Sequence, residues 1–363
     1  MDNFAKKNKE KRILFRADGN PDIGAGHIMR CLSIADTGSE YGFHCFFITA
    51  GDRFETVITS RGYKDIVLHS DYRNMSKELI LMDKIIRDTM PSVLFVDSYF
   101  VSYAYLSNLK KICEDVECEL VYIDDVAAFP YPCDILLNYN IYGLDKEQEY
   151  KQMYQKAKKE VPVLLLGTAY VPLRCEFQNL SGRIVKECAT DILISTGGAD
   201  SEHVARKIAE YIVINNCNLR NFHFHFIIGA MNPDKDEIRR ITGVAGNITL
   251  YHNLKSISRL MRKCDLAISA AGSTLYELCA TQTPTVTYIL ADNQILGAKK
   301  FVDYNILYCL GDVRRWGSDL AKELIDRAVS LAKNPKERVR IVQLQQKIVD
   351  GNGAYRIIKN LIF

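Results

Sequence analysis

A histidine follows a glycine-rich turn near the start of the chain. The segment DGNPDIGAGHIMR, residues 18–30, comes directly after an apolar run and opens a helical pattern. Gly24 and Gly26 allow positive φ values and let the backbone approach a ligand closely. His27 lies in the first helical turn, where unpaired N–H groups carry a partial positive charge that disfavours an imidazolium. A general base must be neutral, so His27 is predicted to be that base.

Arg30 lies one helical turn after His27, on the same face, and is suited to bind a carboxylate or a phosphate. The GxGH pattern is a weak signal by itself, because a histidine near a turn is more often a structural hydrogen-bonding residue. Its position after the first predicted strand, at a helix start, favours the catalytic interpretation. Ligands of doubly wound sheets bind at that edge.

Two later turns carry residues suited to a nucleotide diphosphate. Gly197 and Gly198 follow a predicted strand, and the amides of such a turn are able to cradle a diphosphate. The alternative is a tight turn without a ligand. Ser273 is a good helix N-cap, and Glu277 is suited to accept two hydrogen bonds from a ribose. The alternative for Glu277 is a carboxylate that only stabilises the helix start.

Polar side chains also follow other predicted strands. Residues 292–294, Asp-Asn-Gln, are suited to bind sugar or phosphate, or to cap a helix. Residues 234–236 have the DxD spacing that holds a metal in some sugar-transferring enzymes, but solvated capping carboxylates are the simpler interpretation. Asp97 and the pair Asp124 and Asp125 end strands of the first half and are candidates for the acceptor side of a cleft. No metal site and no cofactor is predicted.

The elements that position these residues alternate regularly. Strand-like runs begin near residues 13, 44, 65, 93, 119, 135, 161, 191, 222, 247, 265 and 284. Helical patterns separate most of them, which predicts two parallel sheets covered by helices. Residues 168–187 lack a long period and are interpreted as a linker. The predicted domains are therefore 11–170 and 188–345, with a C-terminal segment 346–363, and the strand ends are expected to face a shared cleft.

Composition excludes several classes of protein. The 363 residues are 48% hydrophobic and 25% charged, and the net charge of +3 argues neither for nor against nucleic acid. No basic stripe with interleaved aromatic residues is present, so no nucleic-acid partner is predicted. The 11 cysteines form no CxxC pair, which is typical of a reducing compartment. The sequence has neither a secretory signal nor an apolar run of membrane-spanning length, so we expect a cytoplasmic protein without a membrane partner.

Several segments together resemble the PseG family, the nucleotide-sugar hydrolases of pseudaminic acid biosynthesis, from about Arg12 onward. The matching segments are FRADGNPDIGAGHIMRCLSIA, FVDS, VYIDDVA, CDILLNYN, LLGTAYVPLRCEF, LISTGGAD, ISAAGSTLYELCATQTPTV, LADNQ and DGNGAYRI. LLGTAYVPLRCEF and IGAGHIMR are specific to the family, whereas GT-B transferases of the MurG type share GS-x-x-x-E. The segment YFVSYAYL after FVDS departs from the family pattern, which often carries a histidine and a tryptophan there.

The resemblance implies an α/β protein of the GT-B fold, with two doubly wound Rossmann-like domains that face a cleft. It implies hydrolysis of UDP-2,4-diacetamido-2,4,6-trideoxy-beta-L-altropyranose to UDP and the free sugar, without a metal, with His27 as catalytic base. The implied sugar-side domain is the first and the UDP-binding domain the second. The implied substrate-binding residues are Asp18, Gly24, Gly26, Arg30, Gly197, Gly198, Ser273, Thr274, Glu277, Asn293 and Gln294. A GT-B glycosyltransferase, a non-catalytic nucleotide-sugar-binding protein and a UDP-sugar 2-epimerase remain alternatives.

Overall fold

The computed structural model describes residues 11–20, 23–198, 200–229, 231–252, 254, 256–317 and 319–362. Pro21 and Asp22 of the first glycine-rich turn and Ala199 of the second lie outside the described residues. The chain divides into two compact units. The first ends at Cys175 and takes up the chain again from Asn352, and the second is Glu176–Gly351.

The first unit is built on a parallel sheet. Its described strands are β1 (Arg12–Ala17), β2 (His44–Thr49), β3 (Lys64–Val67), β4 (Val93–Asp97), β5 (Glu119–Ile123), β6 (Ile135–Asn138) and β7 (Val163–Leu166). They lie in the order β3-β2-β1-β4-β5-β6-β7. The strand order reverses between β1 and β4, which makes the carboxyl edge there the topological switch point of the sheet. The helices between these strands are α1 (Gly26–Glu40), α2 (Glu55–Thr59), α3 (Leu79–Thr89), α4 (Tyr103–Asp115) and α5 (Glu147–Lys156).

A row of phenylalanines accompanies the pairing of the central strands. Phe15 of β1 is buried between Phe47 and Phe95, with ring centroids 5.1 and 4.9 Å apart. The same register places Ala17 beside Asp97 at the carboxyl ends of β1 and β4. Stacked aromatic pairs stabilise the fold by more than their buried area alone provides. A slip of one residue in the strand pairing would turn each of these side chains to the opposite face of the sheet. The core packing therefore favours the strand register on which the position of Asp97 depends.

The second unit repeats this architecture. Its described strands are β8 (Asp191–Ser195), β9 (His223–Ile227), β10 (Ile248–Tyr251), β11 (Leu266–Ala270), β12 (Thr285–Ile289) and β13 (Tyr308–Asp312), in the order β10-β9-β8-β11-β12-β13. The switch point lies between β8 and β11. The described helices are α6 (Val204–Ile214), α7 (Asn216–Leu219), α8 (Lys235–Thr242), α9 (Ile257–Lys263), α10 (Thr274–Ala280), α11 (Ile295–Asp303), α12 (Leu320–Ala332) and α13 (Pro335–Gln345).

The chain end differs from the predicted separate segment 346–363. Residues up to Gly351 belong to the second unit, whereas a final helix, α14 (Gly353–Ile362), packs against α1 in the first unit. At Gly353 a Cβ atom would lie only 2.1 Å from the carbonyl oxygen of Val171. The absence of a side chain there allows the backbone of α14 to reach the first unit. The division at Cys175 falls inside the predicted linker.

Candidate active site

The turn before α1 brings His27 to the switch point of the first sheet. The backbones of Asn20 and Gly24 pair, with N···O distances of 3.2 and 2.7 Å, and Gly24 has φ = +76°. Such a φ favours glycine, which accounts for Gly24 in this turn. Gly26 begins α1, and a Cβ atom there would meet no atom within 4 Å. Packing therefore does not require glycine at position 26.

His27 forms a pair with a buried carboxylate. Its ring Nδ1 lies 2.6 Å from Oδ1 of Asp97, and the residues are 4% and 1% exposed. An ionised carboxylate only accepts hydrogen bonds, so this distance assigns the hydrogen to Nδ1 of the ring. The lone pair of the neutral ring is then on Nε2, which makes no hydrogen bond to any described residue. This is the tautomer that a histidine base needs.

Arg30 also binds Asp97 but contacts other residues as well. Its Nε lies 2.5 Å from Oδ2 of Asp97, and its Nη2 donates to Oδ1 of the same carboxylate. Its Nη1 donates to Asp125 at 3.0 Å and to the Tyr139 hydroxyl at 2.7 Å, and Nη2 also reaches Asp125 at 3.0 Å. A guanidinium has five N–H donors, and these five contacts use all of them. The structure thus shows Arg30 bound to carboxylates of the protein itself, and its contact with substrate stays a prediction.

Tyr99 and Asp125 complete the surroundings of the histidine. The Tyr99 ring lies edge-on to the His27 ring, with centroids 4.7 Å apart at 77°. The Tyr99 hydroxyl donates to Oδ2 of Asp125 at 2.9 Å. We call His27, Arg30, Asp97, Tyr99 and Asp125 the His27 network. Its contacts form a closed ring, and Nη2 of Arg30 also lies 3.1 Å from Nδ1 of His27 across that ring.

The charges in the His27 network stabilise one another. Burial by itself would raise the pKa of Asp97, but Arg30 and His27 hold it well below its usual range. Burial would likewise lower the pKa of Arg30, but Asp125 and Asp97 raise it well above the ordinary value. Asp97 is therefore an anion and Arg30 a cation throughout the physiological range. Sequence reasoning placed Asp97 and Asp125 at strand ends but missed their contacts with His27 and Arg30.

Asp18, implied by the resemblance to bind substrate, lies in a buried network with Arg16 and Glu78. Its Oδ2 accepts from Arg16 at 2.6 Å and its Oδ1 accepts from the Ala50 amide at 2.7 Å. Arg16 also donates to Glu78 at 2.7 and 2.9 Å, and all three charged side chains are buried. These contacts give Asp18 a structural role in tying the first turn to the strands beside it. No described contact links it to His27.

In the second unit, the glycine turn after β8 is exposed. Gly197 has φ = +84°, and the backbone of Gly229 packs so closely that a Cβ there would lie 2.4 Å from the Gly197 carbonyl oxygen. The first amides of α6 are occupied, because Asp200 accepts from Val204 and Ala205 at 2.9 Å each. The N-terminus of α6 is therefore closed by a carboxylate. The turn itself remains the predicted diphosphate site.

The turns after β11 and β12 meet at the same sheet edge. The Gln294 amide oxygen accepts from the Leu290 amide at 2.8 Å, and its Nε2 lies 3.9 Å from where a Cβ of Gly272 would be. Ser273 is exposed and occupies the N-cap position of α10, as predicted, but its side chain makes no capping hydrogen bond. Its φ and ψ are helical, whereas a capping side chain needs extended backbone. Thr274 and Glu277 are half-buried on the first turn of α10, and Asn293 is exposed.

Arg314 is a residue at this edge that the sequence did not indicate. It follows β13, a strand that was not predicted, and its guanidinium donates to Asp292 at 2.6 Å and to Asp312 at 2.7 Å. It thereby connects the turn that carries Asn293 to the end of β13. A strand of mixed polarity such as Tyr308–Asp312 gives little signal because all of its side chains are only half-buried.

The described residues give no support for a metal site or a membrane-spanning helix. No group of three or more histidine, cysteine, aspartate or glutamate side chains in the described part of the chain is arranged to hold a metal ion. Asp234 of the DxD segment accepts instead from His203, at 2.5 Å. Among the described helices, none combines the length and apolar character that crossing a bilayer requires.

The architecture is that of the GT-B fold, as predicted. The crystal structure of MurG from Acinetobacter baumannii matches with a TM-score of 0.64 at 10% identity, covering 97% of this chain and 99% of that one. A putative UDP-N-acetylglucosamine 2-epimerase from Listeria monocytogenes matches with a TM-score of 0.61 at 13% identity, covering 97% and 95% of the two chains. At this identity the likeness concerns the fold alone.

Proteins related in sequence are more informative about function than these structural matches. Residues 191–350 match the glycosyltransferase family 28 C-terminal domain. The chain is 25% identical over 266 residues to the UDP-2,4-diacetamido-2,4,6-trideoxy-beta-L-altropyranose hydrolase of Campylobacter jejuni, covering 73% of this chain and 87% of that protein. The predicted resemblance to the PseG hydrolases is thereby confirmed.

Two other relatives are longer proteins. The chain is 24% identical over 286 residues to the "Pseudaminic acid cytidylyltransferase and UDP-2,4-diacetamido-2,4,6-trideoxy-beta-L-altropyranose hydrolase" of Helicobacter pylori, covering 78% of this chain and 45% of that protein. It is 23% identical over 298 residues to the uncharacterized protein MJ1062 of Methanocaldococcus jannaschii, covering 78% and 56%. The chain thus spans about half the length of these two relatives.

Proposed function

We propose that this chain hydrolyses UDP-2,4-diacetamido-2,4,6-trideoxy-beta-L-altropyranose to UDP and free 2,4-diacetamido-2,4,6-trideoxy-L-altrose. The observation that carries the proposal is the pair of His27 and Asp97 at the switch point of the first sheet, with Nε2 free of hydrogen bonds to the described residues. Ligands of such sheets bind at that edge. The substrate is inferred from the names of the Campylobacter and Helicobacter relatives.

The proposed reaction uses His27 as a general base. Nε2 takes a proton from a water molecule, and the water oxygen forms a bond to the anomeric carbon. The bond from that carbon to the diphosphate oxygen breaks, and its electron pair leaves with UDP. Asp97 stabilises the imidazolium that forms and keeps the ring in the required tautomer. Attack opposite the leaving group inverts the anomeric configuration.

The second unit is proposed to bind UDP. Amides of the turn at Gly197 and Gly198 and polar groups at Ser273 and Thr274 are suited to the diphosphate, and the Glu277 carboxylate to the ribose. Asn293 and Gln294 are proposed contacts of the sugar or phosphate. Donors held in place before the reaction stabilise charge that develops on a departing diphosphate.

A glycosyltransferase is the second candidate function. The match to a glycosyltransferase domain favours it, as do three large aromatic side chains exposed just after β4. Tyr99, Phe100 and Tyr103 are 39%, 36% and 38% exposed, and such a surface suits an apolar acceptor. In a transferase the group deprotonated by His27 would be an acceptor hydroxyl instead of water. Release of free sugar with no acceptor present decides for the hydrolase.

The test compares His27→Gln with the wild-type chain and with His44→Gln. His44 is an exposed histidine on β2 of the same unit, so it controls for the substitution itself. Loss of a general base costs about 100-fold to 10,000-fold in rate. We expect His27→Gln to lose UDP release by that amount while its affinity for UDP stays within about threefold. Turnover of His27→Gln near the wild-type rate would refute the assignment.

A further inference from the structure

We propose that Arg30 and Asp125 are positioning residues that set the charge which His27 experiences, by sharing the Asp97 carboxylate between the guanidinium and the imidazole. The inference rests on the proposed function, because it concerns the same base. It assigns to Arg30 a role other than the predicted contact with substrate. It also gives a role to Asp125, which does not hydrogen bond to His27.

The contacts of Arg30 leave its guanidinium committed to the protein itself. All five of its N–H donors are used by Asp97, Asp125 and the Tyr139 hydroxyl. The side chain is 10% exposed, and the Asp97 side chain is fully buried. An arginine in this state has no donor left for a sugar or phosphate. Its remaining function is to hold Asp97 in place and to partly neutralise it.

Asp125 connects Arg30 to Tyr99, whose ring packs against the His27 ring. It accepts from Arg30, from the Tyr99 hydroxyl at 2.9 Å and from the Asn140 amide at 2.8 Å. Tyr99 in turn lies edge-on to His27. Asp125 therefore fixes both the guanidinium that binds Asp97 and the aromatic ring that packs against the imidazole.

The charges of Arg30, Asp97 and Asp125 determine whether each substitution makes protonation of the His27 ring easier or harder. One guanidinium lies between two carboxylates, so Arg30 only partly neutralises Asp97. Asp97 therefore keeps part of its charge to stabilise the imidazolium that forms on catalysis. Removing the Asp125 charge leaves Arg30 to neutralise Asp97 more fully. Removing Arg30 leaves the full charge of Asp97 against His27.

The buried thiol and the buried phenols around the pair are neutral. Besides Arg30 and Asp125, the described groups that face His27 or Asp97 are Cys31 on α1, Tyr99 after β4, Tyr122 on β5 and Tyr139 after β6. Burial raises the pKa of Cys31, Tyr122 and Tyr139. The two carboxylates and Arg30 are therefore the charges that decide how readily the ring accepts a proton.

The test measures the pH dependence of kcat/KM for two variants with opposite expected shifts. A base works only when it is neutral, so activity falls as the pH drops through its pKa. Asp125→Asn should move this acid limb to lower pH. Arg30→Gln should move it to higher pH by about one unit, the usual effect of a charge within a few ångströms. A residue that only supports folding has no reason to give shifts of opposite sign.

The double variant Arg30→Gln/Asp125→Asn protects the test against misfolding. It removes one positive and one negative charge together, so Asp125 is not left as a carboxylate without its cation. Asp97 then faces His27 alone, and the acid limb should again move to higher pH. Arg61→Gln is the matched control, since Arg61 pairs with Asp36 of α1 at 2.6 Å without contacting the His27 network. Its acid limb should equal that of the wild-type chain.

Side-chain ¹⁵N NMR of His27 gives a readout that does not depend on turnover. In the wild-type chain we expect a protonated Nδ1 and an unprotonated Nε2, with ring titration shifted in the variants as the acid limbs are. If the wild-type chain releases UDP but the three variants titrate like Arg61→Gln, the positioning role is overturned and the hydrolase proposal stands. If no UDP is released by the wild-type chain, the hydrolase proposal fails, while the ring titration still decides the positioning role.

Discussion

At the scale of single residues, the sequence predicted His27 as the base, and the structure places Asp97 beside it. The glycine-rich turn and the helix start were sufficient to select His27. Asp97 stands 70 residues later, and only the pairing of β1 with β4 brings it to 2.6 Å from the ring. A signal did exist, because in a doubly wound sheet the strand after the third crossover returns to pair with the first. The aspartate that ends FVDS was therefore a candidate partner.

The role of Asp97 gives a prediction at this scale. In Asp97→Asn the amide is able to donate to Nδ1 and so hold the ring in the wrong tautomer, with Nε2 protonated. We expect UDP release to fall by about 100-fold or more, with UDP affinity unchanged. Steady-state kinetics and UDP titration calorimetry measure the two quantities.

The matched control is Asp115→Asn, a carboxylate at the surface of the same unit that pairs with Arg87 at 2.8 Å. It should keep the wild-type rate. An Asp97→Asn variant that retains a rate within about threefold of wild type would show that the carboxylate does not orient the base.

At the scale of elements, buried strands were predictable and half-buried ones were not. Strand β4, VLFVD, is buried along its whole length and stands out as an apolar run. Strand β13 is half-buried at every position, and α14 is recognised as part of the first unit only through its packing on α1. Hydrophobic periodicity detects elements that bury a continuous face. It does not detect which unit a terminal helix will join.

The attachment of α14 gives a prediction about stability. Gly353→Ala places a methyl group 2.1 Å from the Val171 carbonyl oxygen, a contact with backbone that only a shift of the helix relieves. Overpacking of this kind costs about 1–3 kcal/mol, so the urea midpoint should fall. Gly51→Ala is the control, because a Cβ there meets nothing within 4 Å and the backbone is extended.

That control should change the free energy of unfolding by less than about 0.5 kcal/mol. Equal midpoints for Gly353→Ala and Gly51→Ala would mean that the close approach of α14 is not tight in solution. Full kcat/KM in both folded variants is also expected, since neither glycine contacts the His27 network.

At the scale of the whole molecule, two sheets of the same design carry different chemistry. The first unit places a histidine and a buried carboxylate at its switch point, whereas the second places the exposed Gly197, Gly198 and Ser273 there. The fold itself was predictable from alternating strands and helices, and it serves proteins with different activities. The proposal of hydrolysis therefore depends on the site of the first unit and on the group that His27 would deprotonate.

The most direct test follows the reaction in H₂¹⁸O without any acceptor, by NMR and mass spectrometry. The account predicts UDP without the label and a free sugar that carries one ¹⁸O at its anomeric carbon, first formed as the anomer opposite to that of the substrate. Label found in the phosphate of UDP, or a first-formed sugar with retained configuration, would contradict attack by a water molecule that His27 activates.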